Sequence, residues 1–100
     1  MRAFVLTNRA KYDLKEIGRY TQKTWGHDQR DVYLRMLDLS FHQLAANPLI
    51  GNDCSKIRPG YLKFNAGSHV IFYRQKLGDL IEIVRILHGR MDIEARLSES

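Results

Sequence analysis

The sequence contains a single cysteine, Cys54, and only two prolines among its 100 residues. A lone cysteine excludes a disulfide within the chain, and it fits a reducing compartment, so we expect a cytoplasmic protein. No apolar run approaches the roughly 20 residues that a membrane-spanning helix needs. Residues 1–6 are too short for a signal peptide. We therefore expect no membrane partner.

Internal repeats, low-complexity segments and linkers are also missing, which predicts one domain over residues 1–100. A chain of this size buries roughly two-thirds of its unfolded surface. The hydrophobic share of 44% and the charged share of 27% are ordinary for a soluble globular protein. The net charge of +5 favours acidic partners, either nucleic acid or a negatively charged protein.

Hydrophobic periodicity in the first quarter of the chain predicts a short strand followed by a helix. The strand covers Ala3 to Leu6, and either Thr7 or Asn8 can cap the helix. Gly26 is well placed to end that helix. At 100° per residue, one face of the helix is expected to be buried. That face contains Ala10, Leu14, Ile17, Thr21 and Thr24, with Tyr20 and Trp25 at its edges.

A second amphipathic helix follows directly, and it pairs with the first as a helical hairpin. Asp28 is a candidate for its N-terminal cap, and Asn47-Pro48 ends it after Ala46. Its expected core face contains Tyr33, Leu37, Phe41 and Leu44, with Met36 and Ser40 beside them.

The second half of the chain changes to strand-like patterning. Residues 61–65, 69–74 and 80–87 are predicted strands, separated by turns at 66–68 and 77–79. The last strand is apolar on both of its faces, which is typical of a strand covered on each side. The element order β-α-α-β-β-β predicts an α+β domain in which the helical hairpin packs on a small, mainly antiparallel sheet.

Metal and nucleotide sites are not indicated. The glycines of the second half stand singly at turns, which argues against a phosphate-binding loop. Neither the histidines nor the cysteine show metal-ligand spacing, so we expect no metal and no cofactor. The histidines are His27, His42, His69 and His88.

Basic residues recur every four positions along the first helix, opposite its apolar face. Like charges at this spacing destabilise a helix by about a few tenths of a kcal/mol per pair. The pattern is typical of a solvated face, and the alternative is a docking face for an acidic segment. This basic stripe consists of Lys11, Lys15, Arg19 and Lys23.

Beside the core face of the second helix lie Val32, Met36 and Leu39, here called the apolar ridge. One interpretation is a wide core contact with the sheet. The other is a groove that accepts a helix of a partner at i, i+4, i+7 spacing.

A set of basic residues comes from the predicted sheet and its loops and includes the elbow at residues 85–92. Metal-free RNA cleavage needs a general base and a cation for the developing phosphorane charge, and His88 with Arg85 or Arg74 could supply them. The alternative is a surface that holds a protein. The set contains Lys56, Arg58, Lys63, Arg74, Arg85, His88 and Arg90, and the last six are here called the basic cluster.

An ordered set of residues runs through nearly the whole chain. In and around the helical hairpin it consists of Leu6-Thr7, Ala10, Asp13-Leu14, Ile17, Tyr20-Thr21, Trp25-Gly26, Gln29 and Tyr33. The set continues through Phe41, Leu44-Ala45, Pro48, Gly51, Ile57-Arg58, residues 67–73 and residues 85–92. Taken in order, these residues resemble ParE toxins of the RelE/ParE superfamily.

The resemblance implies a toxin that inhibits DNA gyrase, with the A subunit as the expected contact, and a ParD-like antitoxin that neutralises it. RelE-like relatives instead cut ribosome-bound messenger RNA, using several basic residues and often a C-terminal tyrosine. This chain has no tyrosine after Tyr73, which favours a non-enzymatic gyrase inhibitor without sequence-specific nucleic-acid binding. On this interpretation the basic cluster contacts gyrase, while the basic stripe and the apolar ridge bind the antitoxin.

Overall fold

The computed structural model describes residues 3–89, which form two helices and five strands. In chain order the elements are β1 (Ala3–Leu6), α1 (Asn8–Trp25), α2 (His27–Ala46), β2 (Asn52–Asp53), β3 (Leu62–Ala66), β4 (His69–Gln75) and β5 (Leu80–His88). A short 3₁₀ turn, Pro48–Ile50, precedes β2.

The five strands form one sheet in the order β1-β5-β4-β3-β2. The β1–β5 pairing is parallel, because the helical hairpin connects β1 to the rest of the sheet, and the other three pairings are antiparallel. The predicted α+β class is confirmed. The predicted element order is correct except that it lacks β2, whose two polar residues show no strand periodicity.

Capping residues explain where the helices begin and end. The Thr7 hydroxyl accepts from the Ala10 N–H at 3.0 Å and donates to the Val84 carbonyl at 2.8 Å, so the α1 cap also contacts β5. Gly26 has a φ of 93° and joins the two helices. The prediction that Asp28 caps α2 is wrong, because Gly26 holds that position and Asp28 lies in the first turn.

Two apolar clusters cover the two faces of the sheet. The helix-side core combines α1 and α2 with inward side chains of every strand except β2. A smaller cluster on the helix-free face is closed by residues from the loop between β2 and β3 and contains Cys54, Ile57, Tyr61, Val70, Phe72, Val84 and Leu87. The expectation that β5 is covered on both faces is therefore confirmed.

The predicted core face of α1 extends less far than the pattern suggested. Ala10, Ile17 and Thr21 are buried, but all side chains of the last turn are exposed, including Thr24 and Trp25. That turn adjoins the Gly26 connection and packs none of its side chains into the core. Within residues 3–89, neither helix has the length and hydrophobicity needed to cross a bilayer.

Tyr73 on β4 anchors the segment that follows α2. Its fully buried hydroxyl donates to the Pro48 carbonyl at 2.7 Å and accepts from the Gly51 N–H at 3.0 Å. Burial raises the pKa of this phenol, so it remains a neutral donor. A Cβ on Gly51 would overlap the Tyr73 hydroxyl and approach the Lys63 carbonyl to 2.8 Å, which explains why glycine is needed here.

We expect Gly51→Ala to lower the free energy of unfolding by about 3 kcal/mol, because the added methyl group overpacks a rigid site and displaces the Tyr73 hydrogen bonds. Gly60→Ala is the matched control: its φ of 82° is unfavourable for alanine, but no atom lies within 4 Å of the new Cβ. The free energy of unfolding of that control should fall by only about 1 kcal/mol. Urea unfolding measures both, and equal losses would contradict this account.

Candidate functional site

Arg85, a member of the basic cluster, lies inside the protein. Its side chain is only 8% exposed, with Nε 2.9 Å and Nη2 3.0 Å from the two carboxylate oxygens of Asp13. The same carboxylate accepts the Ile86 N–H at 3.0 Å. The prediction that Arg85 belongs to a contact surface is therefore wrong. A buried guanidinium requires a compensating charge, and Asp13 on α1 supplies it from 72 residues away.

Lys63 and Arg74 lie on the helix-free face of the sheet, where Lys63 is half-buried and Arg74 is exposed. Lys63 lies opposite Phe72 in the β3–β4 ladder, and Arg74 follows two residues after Phe72, so both side chains share its face. Arg74 Nε is 2.8 Å from Glu82, yet the side chain is 44% exposed. Lys76 also reaches Glu82, at 3.5 Å. The Glu82 carboxylate thus pairs with both Arg74 and Lys76, and because one negative charge cannot balance two positive ones, positive charge remains on this face.

The remaining members of the basic cluster lie in three other places. Arg58 is half-buried in the loop between β2 and β3, next to Ile57 of the cluster on the helix-free face. His88 is half-buried at the end of β5. Its ladder partner, His69, contacts α2, so His88 lies on the helix side. Arg90 lies outside the described residues. The structure therefore places Lys63 and Arg74 on the helix-free face and Arg58 in the loop that contributes to the apolar cluster there, and it separates all three from Arg85 and His88.

A polar cluster that the sequence did not reveal joins α2 to the ends of β4 and β5. The Tyr33 hydroxyl and His69 Nδ1 share a hydrogen bond at 2.6 Å, and the Ser68 N–H donates to the same hydroxyl at 3.0 Å. The His69 and His88 rings meet edge to face at 5.3 Å. Since these residues are far apart in sequence and follow no motif, no sequence signal could have paired them.

The surroundings of His69 in this polar cluster determine whether its imidazole is charged. Burial, followed by the neighbouring His88, lowers the pKa of His69 to about 4. The imidazole is therefore uncharged at neutral pH, and it cannot act as a general acid there. No group of three or more metal-ligating side chains occurs within residues 3–89.

The basic stripe lies on the solvent side of α1. All four of its side chains are exposed. Within residues 3–89, its ion pair is the one between Arg19 and Glu16, at 3.0 Å between exposed groups. Exposed pairs of this kind contribute little to stability. Tyr12, which is 62% exposed, lies among the stripe residues on the same helical face.

The apolar ridge of α2 is mostly open. Val32 is 57% exposed and Leu39 is 63% exposed, whereas Met36 is half-buried against the helix-side core. The interpretation of the ridge as a wide core contact is therefore wrong for Val32 and Leu39. Two large apolar side chains on one helix face are left without a contact in the core.

Asp13→Ala should lower the free energy of unfolding by about 3–5 kcal/mol, because it leaves the Arg85 guanidinium buried and unpaired. Arg74→Ala, which removes the same kind of cation from an exposed pair, should cost less than about 1 kcal/mol. Adding Arg85→Met to Asp13→Ala should recover part of the loss. Chemical denaturation measures all three, and a small loss for Asp13→Ala would show that the buried pair is dispensable.

Comparison with known proteins gives a consistent result. The family model described as ParE toxin of type II toxin-antitoxin system, parDE, matches residues 4–93. Toxin ParE1 of Mycobacterium tuberculosis is 46% identical over 94 residues, which cover 94% of this chain and 96% of that protein. Toxin ParE1 of Caulobacter vibrioides is 38% identical over 97 residues, 97% of this chain and 99% of that protein.

A solved structure shares the fold. It is the chromosomal ParDE toxin–antitoxin system from P. aeruginosa, with a TM-score of 0.74 at 20% identity, covering 88% of this chain and 95% of that chain. Sequence and fold agree, and the chain belongs to the ParE toxin family of type II toxin–antitoxin systems, within the RelE/ParE superfamily.

Proposed function

We propose that this ParE toxin inhibits DNA gyrase without catalysing a reaction of its own, and that a ParD-like antitoxin neutralises it. Gyrase acts in the cytoplasm, which is also where a buried, reduced Cys54 is expected. The proposal rests on family membership together with the chemistry of the basic residues, and we place the gyrase contact on the A subunit.

The observation that carries the proposal is the position of Arg85. RNA cleavage without a metal needs a cation free to stabilise the phosphorane. Arg85 is instead bound through two nitrogens to Asp13 and buried. His69, the ladder partner of His88, is uncharged at neutral pH because its pKa is about 4. Neither group is available for RNA cleavage, so a RelE-like nuclease is not favoured.

The gyrase contact is proposed on the helix-free face, with Arg58, Lys63 and Arg74 as its basic residues. His88 and Arg90 remain proposed contacts at the end of β5, but Arg85 acts only by holding α1 against β5. Basic side chains on a sheet suit an acidic protein surface, because the strand backbone holds them at a fixed spacing before binding.

For the antitoxin we propose the two helical surfaces. The apolar ridge offers Val32 and Leu39 to a partner's apolar side chains. The basic stripe of α1 offers exposed positive charge to acidic residues of the same antitoxin, which would increase the association rate more than the affinity.

Purified toxin should inhibit DNA supercoiling by gyrase, and Lys63→Ala with Arg74→Ala should raise the concentration needed for half inhibition about tenfold. The matched control, Lys11→Ala with Lys23→Ala, removes two positive charges from α1 and should leave inhibition unchanged. Gyrase that stays fully active, together with cleavage of ribosome-bound message, would contradict the proposed function.

Leu39→Glu should weaken antitoxin binding about 100-fold, because the interface would bury an unpaired carboxylate. Leu39 is exposed in the free chain, so the melting temperature should change little. Thr24→Glu adds the same charge at an exposed position of α1 outside both proposed surfaces and serves as the control. Isothermal titration calorimetry gives both affinities, and equal values would remove the apolar ridge from the interface.

A further inference from the structure

Two histidines meet where the two longest strands of the sheet pair. His69 begins β4 and His88 ends β5, and the two residues are directly opposite in the antiparallel ladder. Side chains at opposite positions on one face of a sheet have Cβ atoms about 5 Å apart. The imidazole rings accordingly lie close together, with centroids 5.3 Å apart and planes at 80°. Both side chains are half-buried, so neither ring is sealed from solvent.

The distance between the rings suits a shared metal ion. Zinc binds an imidazole nitrogen at about 2 Å, so two imidazoles on one tetrahedral ion have ring centres about 5 Å apart. The observed 5.3 Å is close to this value, and small rotations of the side chains would reach it. Imidazole suits zinc, copper and nickel, whereas magnesium and calcium prefer oxygen ligands. The pair therefore favours ions of the first group.

One ring nitrogen of His69 is held in place and the other is accessible. Its Nδ1 shares a hydrogen bond with the Tyr33 hydroxyl at 2.6 Å, and the Ser68 N–H donates to the same hydroxyl at 3.0 Å. Among the half-buried and buried side chains of residues 3–89, no buried nitrogen or oxygen lacks a hydrogen-bond partner. Since this ring makes its hydrogen bond through Nδ1, its Nε2 must be in contact with solvent.

The Tyr33 hydroxyl is well placed to orient a metal-bound histidine. Histidine ligands almost always donate the second ring N–H to an oxygen, and this bond fixes the orientation of the ring. With Nε2 of His69 on a metal, the Nδ1–H would donate to the Tyr33 hydroxyl oxygen. The hydroxyl itself has little room to move, because a Cβ on Gly67 would approach it to 2.8 Å. The turn before His69 is thus packed tightly on α2.

We propose that His69 and His88 together bind one divalent ion of the zinc, copper and nickel group, with Tyr33 holding His69 in the ligating orientation. Water completes the coordination, because residues 3–89 contain no group of three or more metal-ligating side chains. Each ring binds the ion through one nitrogen and keeps the other for a hydrogen bond. The ion would join the end of β5 to the start of β4 and, through Tyr33, to α2. The inference goes beyond the proposed function, since it involves neither gyrase nor the antitoxin.

A competing arrangement for a metal ion lies on α2. His42 Nε2 is 3.5 Å from a carboxylate oxygen of Asp38, one helical turn earlier, and both side chains are more than half exposed. A histidine and a carboxylate are suitable zinc ligands too. Exposed side chains must first be ordered, however, and this loss of freedom weakens binding. His69 is already held by Tyr33, so we assign the stronger site to the strand pair.

The test is isothermal titration of zinc chloride into the untagged, full-length toxin. We expect one ion per chain, and His69→Ala or His88→Ala should weaken zinc binding about tenfold or more, because each removes one of two ligands. Tyr33→Phe keeps the ring and removes only the hydroxyl, and it should weaken binding about tenfold. The matched control is His42→Ala, which removes an exposed histidine and should leave the affinity unchanged.

A measurement on the unaltered chain keeps the test independent of how well the variants fold. Proton–nitrogen correlation spectra of the imidazoles follow both ring nitrogens of each histidine as zinc is added. The signals of His69 and His88 should shift together and stop changing at one ion per chain, with smaller changes at His27 and His42.

Three results would overturn the inference. They are the absence of zinc binding, shifts confined to His27 or His42, and a loss of affinity in His42→Ala as large as that in His69→Ala. None of them would affect the proposed function, because inhibition of gyrase is measured without added zinc and depends on other residues.

Discussion

The contact of Asp13 with Arg85 and the Ile86 N–H holds the helical hairpin on the sheet. Strand β1 pairs with β5 only as far as Ile83, where the Thr7 N–H makes the last ladder bond. Beyond that point α1 takes over the β5 edge, first through the Thr7 hydroxyl on Val84 and then through Asp13 on Ile86. The buried Asp13 carboxylate is tolerated here because it is paired with the Arg85 guanidinium and accepts a hydrogen bond from the Ile86 N–H.

This arrangement separates the surfaces of the toxin. With α1 fixed against β5, both helices cover one face of the sheet, and the basic residues of β3 and β4 lie on the other. Phe72 and Tyr73 follow each other in β4 and therefore point to opposite faces, Phe72 into the cluster on the helix-free face and Tyr73 into the helix-side core. Opposite them, β5 has a bulge with Val84 as the extra residue. The proposed gyrase and antitoxin surfaces therefore do not compete for the same side chains.

The parts of the fold that depend on local spacing could be predicted from the sequence. The 3.6-residue period identified both helices, and Thr7 was among the expected caps. Short apolar, β-branched or aromatic runs bounded by turn residues identified the four longer strands. The candidate site was predicted less well, because its geometry depends on distant pairs. The sequence marks Arg85 only as a basic residue, and its burial follows from Asp13, 72 positions earlier. Exposure of Val32 and Leu39 likewise depends on how the hairpin tilts on the sheet, which periodicity does not define.

An uncharged edge strand such as β1 is a hazard for a protein that acts alone, since it invites pairing with other chains. A charge within Ala3–Leu6 would remove that hazard. The same four residues pack Phe4 and Leu6 against the helix-side core and leave the outer backbone groups of the strand unpaired by the sheet, so the edge cannot be changed without affecting the core.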